Sequence, residues 1–310
     1  MKVAVLKGGR SLERGVSLRS GARVEDALER LGHEVVAVDA GPDLVARLRE
    51  ARPDVAFVAL HGVGGEDGTT QELLELLDIP FTGPGVAACV RCMDKVLAKH
   101  AIRGAGLPTP DWFAFSQTAF RELGAAEALG DLEQRLGFPL VVKPSRGGSS
   151  LGVKFAATAA EVPQALVAAF SYDDKVLLER HVEGRELAVS VLGDEALPVV
   201  EAIPVQGDRY DFEARYEIGR TRFACPADLG DEEHRAVVEV ALGTYRALGC
   251  SGFARIDLIL AADGPQVLEA NAIPGLTDTS LLPQAAEAAG LSFERLVERI
   301  LELALPVSSR

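Results

Sequence analysis

Cysteine is scarce in this sequence, which has four of them among 310 residues: Cys89, Cys92, Cys225 and Cys250. So few cysteines cannot form a disulfide scaffold for a chain of this length. The first residues, MKVAVLKGG, carry a short apolar run that ends in glycine. This pattern predicts a strand rather than a signal peptide. We therefore expect a cytoplasmic protein whose thiols stay reduced.

The C-x-x-C pair of Cys89 and Cys92 has no second pair and no suitably spaced histidine after it. A thioredoxin-like or zinc motif would require a different context. We instead predict two small buried side chains on a helix near Gly85.

Basic residues and long apolar runs are also few. Lysine and arginine number 32 against 46 aspartates and glutamates, which gives a net charge of −14. This balance argues against nucleic-acid and anionic-membrane partners. A nucleotide substrate stays compatible, because metal ions and local basic residues can outweigh the overall charge. No apolar segment reaches the length needed to span a bilayer. The 48% hydrophobic content predicts a large core, and the length predicts more than one domain.

The most informative stretch covers residues 253–283. Its apolar alternation predicts two antiparallel strands joined by a tight turn at residues 262–264. Asp257 on the first strand and Glu269 and Asn271 on the second share parity, so their oxygens can lie on one face. Two carboxylates and an amide are hard ligands, of the kind that hold Mg²⁺ against nucleotide phosphates. The sequence therefore predicts a magnesium site on this hairpin.

Arg255 lies two residues before Asp257 and on the same face of the predicted strand. It would place a guanidinium beside the metal ions, where a phosphate or an oxyanion is expected. The alternative is the solvated face of an ordinary hairpin. Apolar residues flank each polar one, however, and polar side chains in a buried hairpin need partners. We therefore favour the functional interpretation.

The N-terminal part alternates between strand and helix patterns. We predict strands at residues 3–6, 34–38 and 55–60 and helices at residues 16–31 and 44–51. This alternation is typical of a doubly wound parallel sheet, in which ligands bind beyond the carboxyl ends of the strands. Two unusual loops occur there: GGRSLERGVS at residues 8–17 and HGVGGEDGTTQ at residues 61–71.

Each of these loops carries a residue with two possible roles. Glu13 precedes the predicted helix, for which Ser17 is the candidate N-cap. Its carboxylate could serve the helix dipole alone or a ligand. His61 follows a strand and could bind a substrate or play a purely structural part. The four glycines of the second loop are more than an ordinary connection needs.

A smaller α/β unit follows, and we place the first domain boundary near Met93. We predict a helix at residues 93–106 that carries Lys95 and Lys99, strands at 140–143, 153–155 and 175–179, and a helix at 159–170. The loop PSRGGSSLG, between the first two of these strands, is typical of a flexible phosphate cover and lacks the Walker A order. Lys143 ends an apolar strand, where a buried amine needs an anionic partner. Glu179 and Glu186 also flank strands and could be site acids or solvent-exposed ends.

Residues 206–227 lack periodicity and are rich in Arg, Tyr, Asp and Glu. Loops of this length are commonly lids or binding elements. The last two predicted helices, at residues 231–248 and 293–305, are expected to pack over the last sheet.

Five motifs in this order, HGVGGEDGTTQ, VVKPSRGGSSLGV, YDFEARY, GFARIDLIL and LEANAIPGLTDTSLLP, resemble those of the D-alanine–D-alanine ligases of the ATP-grasp superfamily. The resemblance extends from Val3 almost to the last helix. It implies an α/β (α+β) ATP-grasp fold with three domains: an N-terminal doubly wound domain (1–93), a central domain (94–181) and a C-terminal domain (182–310). The nucleotide would lie between two antiparallel sheets of the last two domains.

The resemblance also implies how ATP is held. Lys95 and Lys143 match the lysines that hold the phosphates, while Glu179 and Glu186 match the acids that bind the adenine amino group and the ribose. Val182 matches a further nucleotide contact. Asp257, Glu269 and Asn271 match the ligands of two Mg²⁺ ions, which Mn²⁺ can replace. Arg215 stands where the family usually has a lysine that reaches the γ-phosphate, so the charge is kept and the geometry differs.

Other matches concern the amino-acid substrates. Glu13 matches the acid that receives the ammonium group of the first D-alanine, with Ser149 and Tyr216 as its partners in a hydrogen-bonded triad. Arg255 and the backbone of Gly275 match the groups around the oxyanion. Ser280 matches the residue that binds the carboxylate of the second D-alanine, and His61 matches a residue near the carboxylate of the first. Gly15 and Gly147 depart from the family, which often has acids at both positions. Relatives that make D-alanyl-D-lactate tend to carry phenylalanine in place of Tyr216.

The implied activity is ATP-dependent joining of two D-alanines through an acyl phosphate, for peptidoglycan precursors, by a homodimer. An acyl phosphate must be shielded from water, which gives the loop at residues 206–227 the role of a lid. One alternative is a related ligase whose acceptor is D-lactate or D-serine. Another is a regulatory nucleotide-binding module without turnover, against which the complete set of matched ligands argues.

Overall fold

The computed structural model describes residues 1–148, 151–204 and 221–305. Its N-terminal part is a parallel sheet with the strand order β2-β1-β3. The elements are β1 (Lys2–Lys7), α1 (Arg14–Arg30), β2 (Glu34–Asp39), α2 (Leu44–Ala51), β3 (Val55–Val58), α3 (Thr69–Leu76) and α4 (Val86–Met93). All of β3 and the four central residues of β1 are buried, because helices cover a parallel sheet on both faces. The predicted alternation of strands and helices is confirmed.

The helix predicted at residues 93–106 is divided at Asp94. Helix α4 ends at Met93, and α5 covers Lys95–Gly104. The Asp94 carboxylate accepts hydrogen bonds from the backbone N–H groups of Val96 and Leu97 at 3.0 and 3.1 Å. Asp94 is therefore the N-cap of α5. Lys95 and Lys99, four residues apart, lie on one face of this helix.

A four-stranded antiparallel sheet forms the central part, with the order β4-β7-β5-β6. Its elements are β4 (Trp112–Ser116), α6 (Gln117–Glu122), α7 (Asp131–Arg135), β5 (Leu140–Pro144), β6 (Lys154–Ala156), α8 (Val162–Ala169) and β7 (Lys175–Arg180). Helix α8 packs on β5 and β6. Side chains such as Leu140, Leu166 and Leu178 build a core for this unit. Of the predicted helix at residues 159–170, the first turn, Ala159–Glu161, is a 3₁₀ helix.

The C-terminal part contains a six-stranded antiparallel sheet in the order β11-β10-β8-β12-β13, with β9 beside β8. Its elements are β8 (Arg185–Leu192), β9 (Glu195–Ala196), β10 (Val200–Pro204), β11 (Thr221–Ala224), α9 (Asp231–Leu248), β12 (Phe253–Ala261), β13 (Gly264–Asn271), α10 (Leu281–Ala288) and α11 (Phe293–Ala304). Helix α9 packs on β8, β12 and β13, as predicted.

Two predictions for this part need correction. Residues 221–224, expected in a long loop, form strand β11 and pair with β10, because a short irregular sequence can still complete a sheet edge. Residues 206–220 of the predicted lid lie outside the described part of the chain. Helix α11 mainly contacts α1 and α10 rather than the last sheet, since its apolar stripe meets the N-terminal part. Among the described helices, none is long and apolar enough to cross a membrane.

The predicted hairpin is confirmed by the pairing of β12 with β13. Asp257 lies opposite Glu269 and Arg255 lies opposite Asn271, so the polar residues share one face. The register shifts after Asp257, where Leu258 pairs with Val267 and leaves Leu268 as the extra residue of a β-bulge. The bulge separates the polar end of the hairpin from the apolar end near the turn.

Candidate active site

A cleft lies between the four-stranded and six-stranded sheets. Both sheets contribute side chains to it, as the nucleotide prediction requires. The cleft is lined by these predicted nucleotide and metal residues: Lys95, Lys143, Glu179, Val182, Glu186, Asp257 and Glu269. Phe155, Ile259 and Leu268 add apolar surface. Apolar walls with a few convergent charges are typical of a small-molecule site.

Glu179, on β7, is buried at one end of this cleft, with 2% of its surface exposed. Its Oε2 accepts a hydrogen bond from Lys143 Nζ at 2.6 Å, and its Oε1 forms an ion pair with Lys99 Nζ. Burial by itself would raise the pKa of Glu179, but the charges of Lys143 and Lys99 outweigh it and hold the pKa below its usual value. The anionic partner predicted for Lys143 is therefore Glu179.

Lys99 is a buried charge that the sequence analysis places on a helix without a function. Its side chain is fully buried. Burial lowers the pKa of Lys99 to about 8, although the charge of Glu179 acts in the opposite direction. Its partner Glu179 lies 80 positions away, so local sequence carried no signal for the contact except a lysine at helical spacing from Lys95.

The predicted metal ligands meet at the polar end of the hairpin. Asn271 Nδ2 donates to Asp257 Oδ2 at 3.1 Å, and Arg255 binds both oxygens of the same carboxylate. Lys95 Nζ lies 3.5 Å from Glu269 Oε2 and donates to the Gly147 carbonyl at 2.6 Å. The hairpin face is therefore a charged cluster and not a solvated surface.

This donor set is compatible with Mg²⁺. It contains oxygen donors without His or Cys, which is what a hard divalent cation prefers. Within the described residues, no cluster of three or more His, Cys, Asp and Glu side chains is arranged to bind a metal ion by itself. Two carboxylates and one amide would leave coordination positions for nucleotide phosphates and water, which is typical of magnesium bound together with a substrate.

A second pocket adjoins the cleft further along the same hairpin face, at Arg255 and Asn271. It brings together five predicted substrate residues and one metal ligand: Glu13, His61, Arg255, Gly275, Ser280 and Asn271. Gly148 lines both pockets. The two pockets therefore meet at Gly148 and at the polar end of the hairpin.

Glu13 occupies the N-cap position of α1, and its backbone carbonyl accepts hydrogen bonds from the N–H groups of Val16 and Ser17 at 2.9 and 3.0 Å. Ser17 was the predicted N-cap, and that prediction is wrong. Its hydroxyl accepts from Gly8 N–H at 2.9 Å and donates to the Ala59 carbonyl at 2.7 Å. Ser17 therefore joins two strand ends, because the helix begins at Arg14, two residues earlier than predicted.

Two glycines allow the chain to pass close to the Glu13 carboxylate. A Cβ at Gly62 would lie 2.6 Å from Glu13 Oε2, and one at Gly148 would lie 3.1 Å from both carboxylate oxygens. Gly62 also has a φ of +72°, which side-chain-bearing residues rarely adopt. Glycine at these two positions therefore leaves room for the Glu13 carboxylate between the two loops.

His61 is held by three neighbours. Its Nδ1 lies 3.0 Å from Glu66 Oε1 and 3.1 Å from the Ile273 carbonyl, and its Nε2 lies 3.1 Å from Ser20 Oγ. Ser20 Oγ also accepts a hydrogen bond from the Leu276 N–H at 3.1 Å. His61 is therefore both structural and part of the pocket wall, so the two interpretations offered by the sequence are compatible.

Ser20 and Glu66 are site residues to which the sequence analysis gave no role. Burial raises the pKa of Glu66, although its hydrogen bond to His61 acts in the opposite direction. Glu66 lies in the glycine-rich loop at residues 61–71, whereas Ser20 lies within α1, where a serine gives no signal of a site. The same loop is shorter than predicted, because Thr69 already begins α3.

The loop from Gly275 to Ser280 lines the far side of the second pocket. Ser280 Oγ accepts a hydrogen bond from the Thr277 N–H at 3.0 Å. A Cβ at Gly275 would lie 2.7 Å from Ser280 Oγ, so a larger residue at this position would displace the hydroxyl. Three other predicted site residues, Ser149, Arg215 and Tyr216, lie outside the described residues.

Two antiparallel sheets that enclose a cleft lined with lysines and carboxylates, next to a parallel N-terminal sheet, define the protein as an enzyme of the ATP-grasp fold. Matches to family models identify one family within this fold. The family model described as D-ala D-ala ligase C-terminus matches residues 101–302, and the one described as D-ala D-ala ligase N-terminus matches residues 41–84. The chain belongs to the D-alanine–D-alanine ligase family.

Individual relatives agree with this assignment. A D-alanine–D-alanine ligase of Anaeromyxobacter sp. (strain K) is 47% identical over 302 residues, which cover 97% of this chain and 96% of the relative. The crystal structure of D-alanine–D-alanine ligase from Bacillus anthracis complexed with ATP is similar with a TM-score of 0.84, at 32% identity, over 98% of this chain and 97% of that one. VanG D-Ala:D-Ser ligase from Enterococcus faecalis is similar with a TM-score of 0.82, at 28% identity, over 98% and 99% of the two chains.

Proposed function

We propose that this chain is an ATP-dependent ligase that joins two D-alanines to form D-alanyl-D-alanine for peptidoglycan precursors. The observation that carries the proposal is the junction of two pockets at one charged hairpin face. Asp257 and Glu269 line the cleft between the sheets, while Arg255 and Asn271 line the neighbouring pocket. A phosphoryl donor and its acceptor can thus meet without leaving the protein. Relatives 42–47% identical over nearly the whole chain carry the corresponding name.

The reaction needs activation because a carboxylate has no good leaving group at neutral pH. In the first step, a carboxylate oxygen of the first D-alanine bonds to the γ-phosphorus of ATP, and the bond from that phosphorus to ADP breaks. In the second step, the amine of the second D-alanine attacks the acyl carbon, loses a proton and displaces inorganic phosphate. The protein's contribution is alignment and neutralisation of negative charge.

Lysines and hairpin ligands serve the first step. Lys95 and Lys143, which both line the cleft, hold the phosphates. The family resemblance assigns the γ-phosphate to Arg215. Asp257, Glu269 and Asn271 would hold the two Mg²⁺ ions, or Mn²⁺ in their place. When bound, the ions neutralise phosphate charge and favour transfer of the γ-phosphoryl group. Glu179 and Glu186 bind the adenine amino group and the ribose, and Val182 packs beside the nucleotide.

The second pocket serves the amino acids. Glu13 receives the first ammonium group, and His61 serves the first carboxylate. The family resemblance assigns Ser149 and Tyr216 as the partners of Glu13. Arg255 and the N–H of Gly275 stabilise the oxyanion that forms when the amine attacks. Ser280 binds the second carboxylate.

We also propose a homodimer that works in the cytoplasm. Large apolar side chains are exposed on consecutive helices of the N-terminal part, with Leu76 80% and Val90 41% exposed. Such a surface is commonly covered by a second subunit. Light scattering coupled to gel filtration gives the mass in solution, and a mass near 33 kDa would mean a monomer.

The decisive experiment couples ADP formation to a spectroscopic readout, with and without D-alanine. D-alanine-dependent ADP release with D-alanyl-D-alanine as product supports the proposal. A parallel panel with D-alanine plus D-serine or D-lactate identifies the acceptor by mass spectrometry. Preferred formation of a mixed dipeptide or a depsipeptide would assign the chain to another acceptor class. Nucleotide binding without ADP release under any of these conditions would identify a binding module.

A further inference from the structure

The Lys99 ammonium group makes three polar contacts, two hydrogen bonds and one ion pair. The group forms an ion pair with Glu179 Oε1, donates to Thr109 Oγ1 at 2.6 Å and donates to the Pro110 carbonyl at 3.2 Å. Thr109 Oγ1 in turn donates to the Val267 carbonyl at 2.7 Å. This chain of contacts connects α5, the segment before β4, strand β7 and strand β13. Lys99 therefore links both sheets that enclose the cleft.

One lysine would be enough to neutralise Glu179, yet two are present. Lys143 lines the cleft and can contact a ligand, whereas Lys99 has no exposed surface. A second buried ammonium group is costly unless its contacts serve a purpose. Each Glu179 oxygen has its own ammonium partner. The carboxylate is thereby prevented from rotating and from taking up a proton.

An ionised carboxylate only accepts hydrogen bonds, whereas a protonated one can also donate. A purine with an amino group at position 6 offers a donor there, and a purine with an oxo group offers an acceptor. A fixed carboxylate at the nucleobase end of the cleft would bind the first and repel the second. A polar group that is left unpaired in a buried site gives strong discrimination of this kind.

We propose that Lys99 is a positioning residue that acts through Glu179 to select 6-amino over 6-oxo purine nucleotides. The inference rests on the proposed function, which places the nucleobase at Glu179. It assigns to Lys99 a part in nucleotide selection and no direct contact with ATP. Loss of Lys99 should weaken this selection while the distant transfer step continues.

The test compares ATP with ITP, which differs at position 6 of the purine, in wild type and Lys99→Met. Methionine has a similar length and no charge. We expect the variant to raise the KM for ATP roughly tenfold, to reduce the ratio of the KM values for ITP and ATP by a similar factor, and to keep kcat within about twofold. The control is Lys2→Met, which removes a lysine paired with Glu34 at the edge of the N-terminal sheet. The Lys2→Met variant should change neither the KM for ATP nor the KM for ITP.

A Lys99→Met enzyme that keeps the wild-type ratio of KM values would overturn the proposal, even if its melting temperature falls. If the variant does not fold, the pH dependence of wild type gives the answer. The charges near Lys99 are those of Glu179 on β7, Lys143 on β5 and Arg103 on its own helix. Burial lowers the pKa of Lys99 to about 8, so the ratio for ITP and ATP should fall above this pH. A constant ratio from pH 7 to pH 8.5, a range in which the base of ITP keeps its own N1 proton, would contradict the inference.

Binding measurements separate this proposal from the proposed function. Isothermal titration calorimetry with ATP and ITP, without any amino acid, reports nucleotide selection whether or not a dipeptide is formed. Failure of D-alanine to stimulate ADP release would therefore reject the proposed activity and leave the role of Lys99 open to the same comparison. Equal affinity of wild type for ATP and ITP would reject the role of Lys99 by itself.

Discussion

Arg255 and Asp257 lie two residues apart on the same strand and form a bidentate ion pair, with Nε 2.7 Å from Oδ1 and Nη2 2.8 Å from Oδ2. The pair stands between the two pockets, since Asp257 lines one and Arg255 the other. A guanidinium group that binds a carboxylate on its own strand has a fixed orientation before any substrate binds. Preorganised charge of this kind is what a reaction with a developing oxyanion requires.

Asp257→Asn should reduce D-alanine-dependent phosphate release by at least about 100-fold. The substitution removes a predicted metal ligand and also the charge that orients Arg255. Phosphate release at a range of Mg²⁺ concentrations measures the effect. Asp263→Asn, in the exposed turn of the same hairpin, is the matched control and should behave as wild type. Unchanged turnover in Asp257→Asn would count against the metal assignment.

Ser20→Ala should raise the KM for D-alanine several-fold and lower the free energy of unfolding by about 1–2 kcal/mol. The hydroxyl contacts His61 Nε2 and accepts a hydrogen bond from the Leu276 N–H, so its loss loosens two walls of the amino-acid pocket. Steady-state kinetics measure the KM for D-alanine, which tests whether this pocket binds it, and urea denaturation measures the free energy of unfolding. Ser292→Ala removes the N-cap of α11 and should lower stability by a similar amount without changing KM. Equal KM values in both variants would show that Ser20 is structural only.

Gly275→Ala should lower kcat/KM for D-alanine at least about tenfold. The new methyl group would lie 2.7 Å from Ser280 Oγ, so the hydroxyl must move out of the pocket. Gly104→Ala, at the end of α5 where a Cβ meets no atom within 4 Å, is the control and should retain full activity. Addition of Ser280→Ala to Gly275→Ala should cause little further loss, because the hydroxyl is already displaced. A further large loss would disprove this coupling.

Glu66→Gln should make the metal-free protein more stable than wild type at pH 8. Burial raises the pKa of Glu66 in the folded chain, so the folded state binds a proton more tightly than the unfolded state. The contribution of Glu66 to the free energy of unfolding is fully present below the ordinary pKa of a glutamate. It is lost as the pH rises through the higher pKa that Glu66 has in the folded chain. Glutamine has no proton to lose and avoids this loss. Urea denaturation of both proteins in EDTA, from pH 4 to pH 8, should show that the difference between their free energies of unfolding widens with pH. A gap that narrows with pH would contradict the sign of the shift.

Much of the fold followed from periodicity. The hairpin of β12 and β13 was predictable because side chains alternate across a strand, and this alternation placed Asp257, Glu269 and Asn271 on one face without any knowledge of the rest of the chain. Lys143 was likewise predicted to have an anionic partner, because a lysine that ends an apolar strand is buried. The three-domain division at residues 93 and 181 stays a prediction.

Other features were hidden because they depend on contacts across long stretches of sequence. The N-cap of α1 was placed at Ser17 since serine is a common cap, but the tertiary structure uses its hydroxyl to join Gly8 and Ala59. The division at Asp94 was missed because the residues on both sides continue a helical pattern. Strand β11 was missed because four residues at a sheet edge are stabilised by their neighbour and carry almost no periodic signal of their own.

The sequence by itself determined the alternating N-terminal sheet, the C-terminal hairpin and the kinds of atoms that the active site offers, because local periodicity and residue chemistry are properties of short segments. Only the tertiary structure decided that Lys99 contacts Glu179, that Ser20 connects His61 with the loop at Leu276, and that two pockets meet at Arg255 and Asp257. These relationships join residues on different elements, and the packing of whole sheets and helices sets their distances.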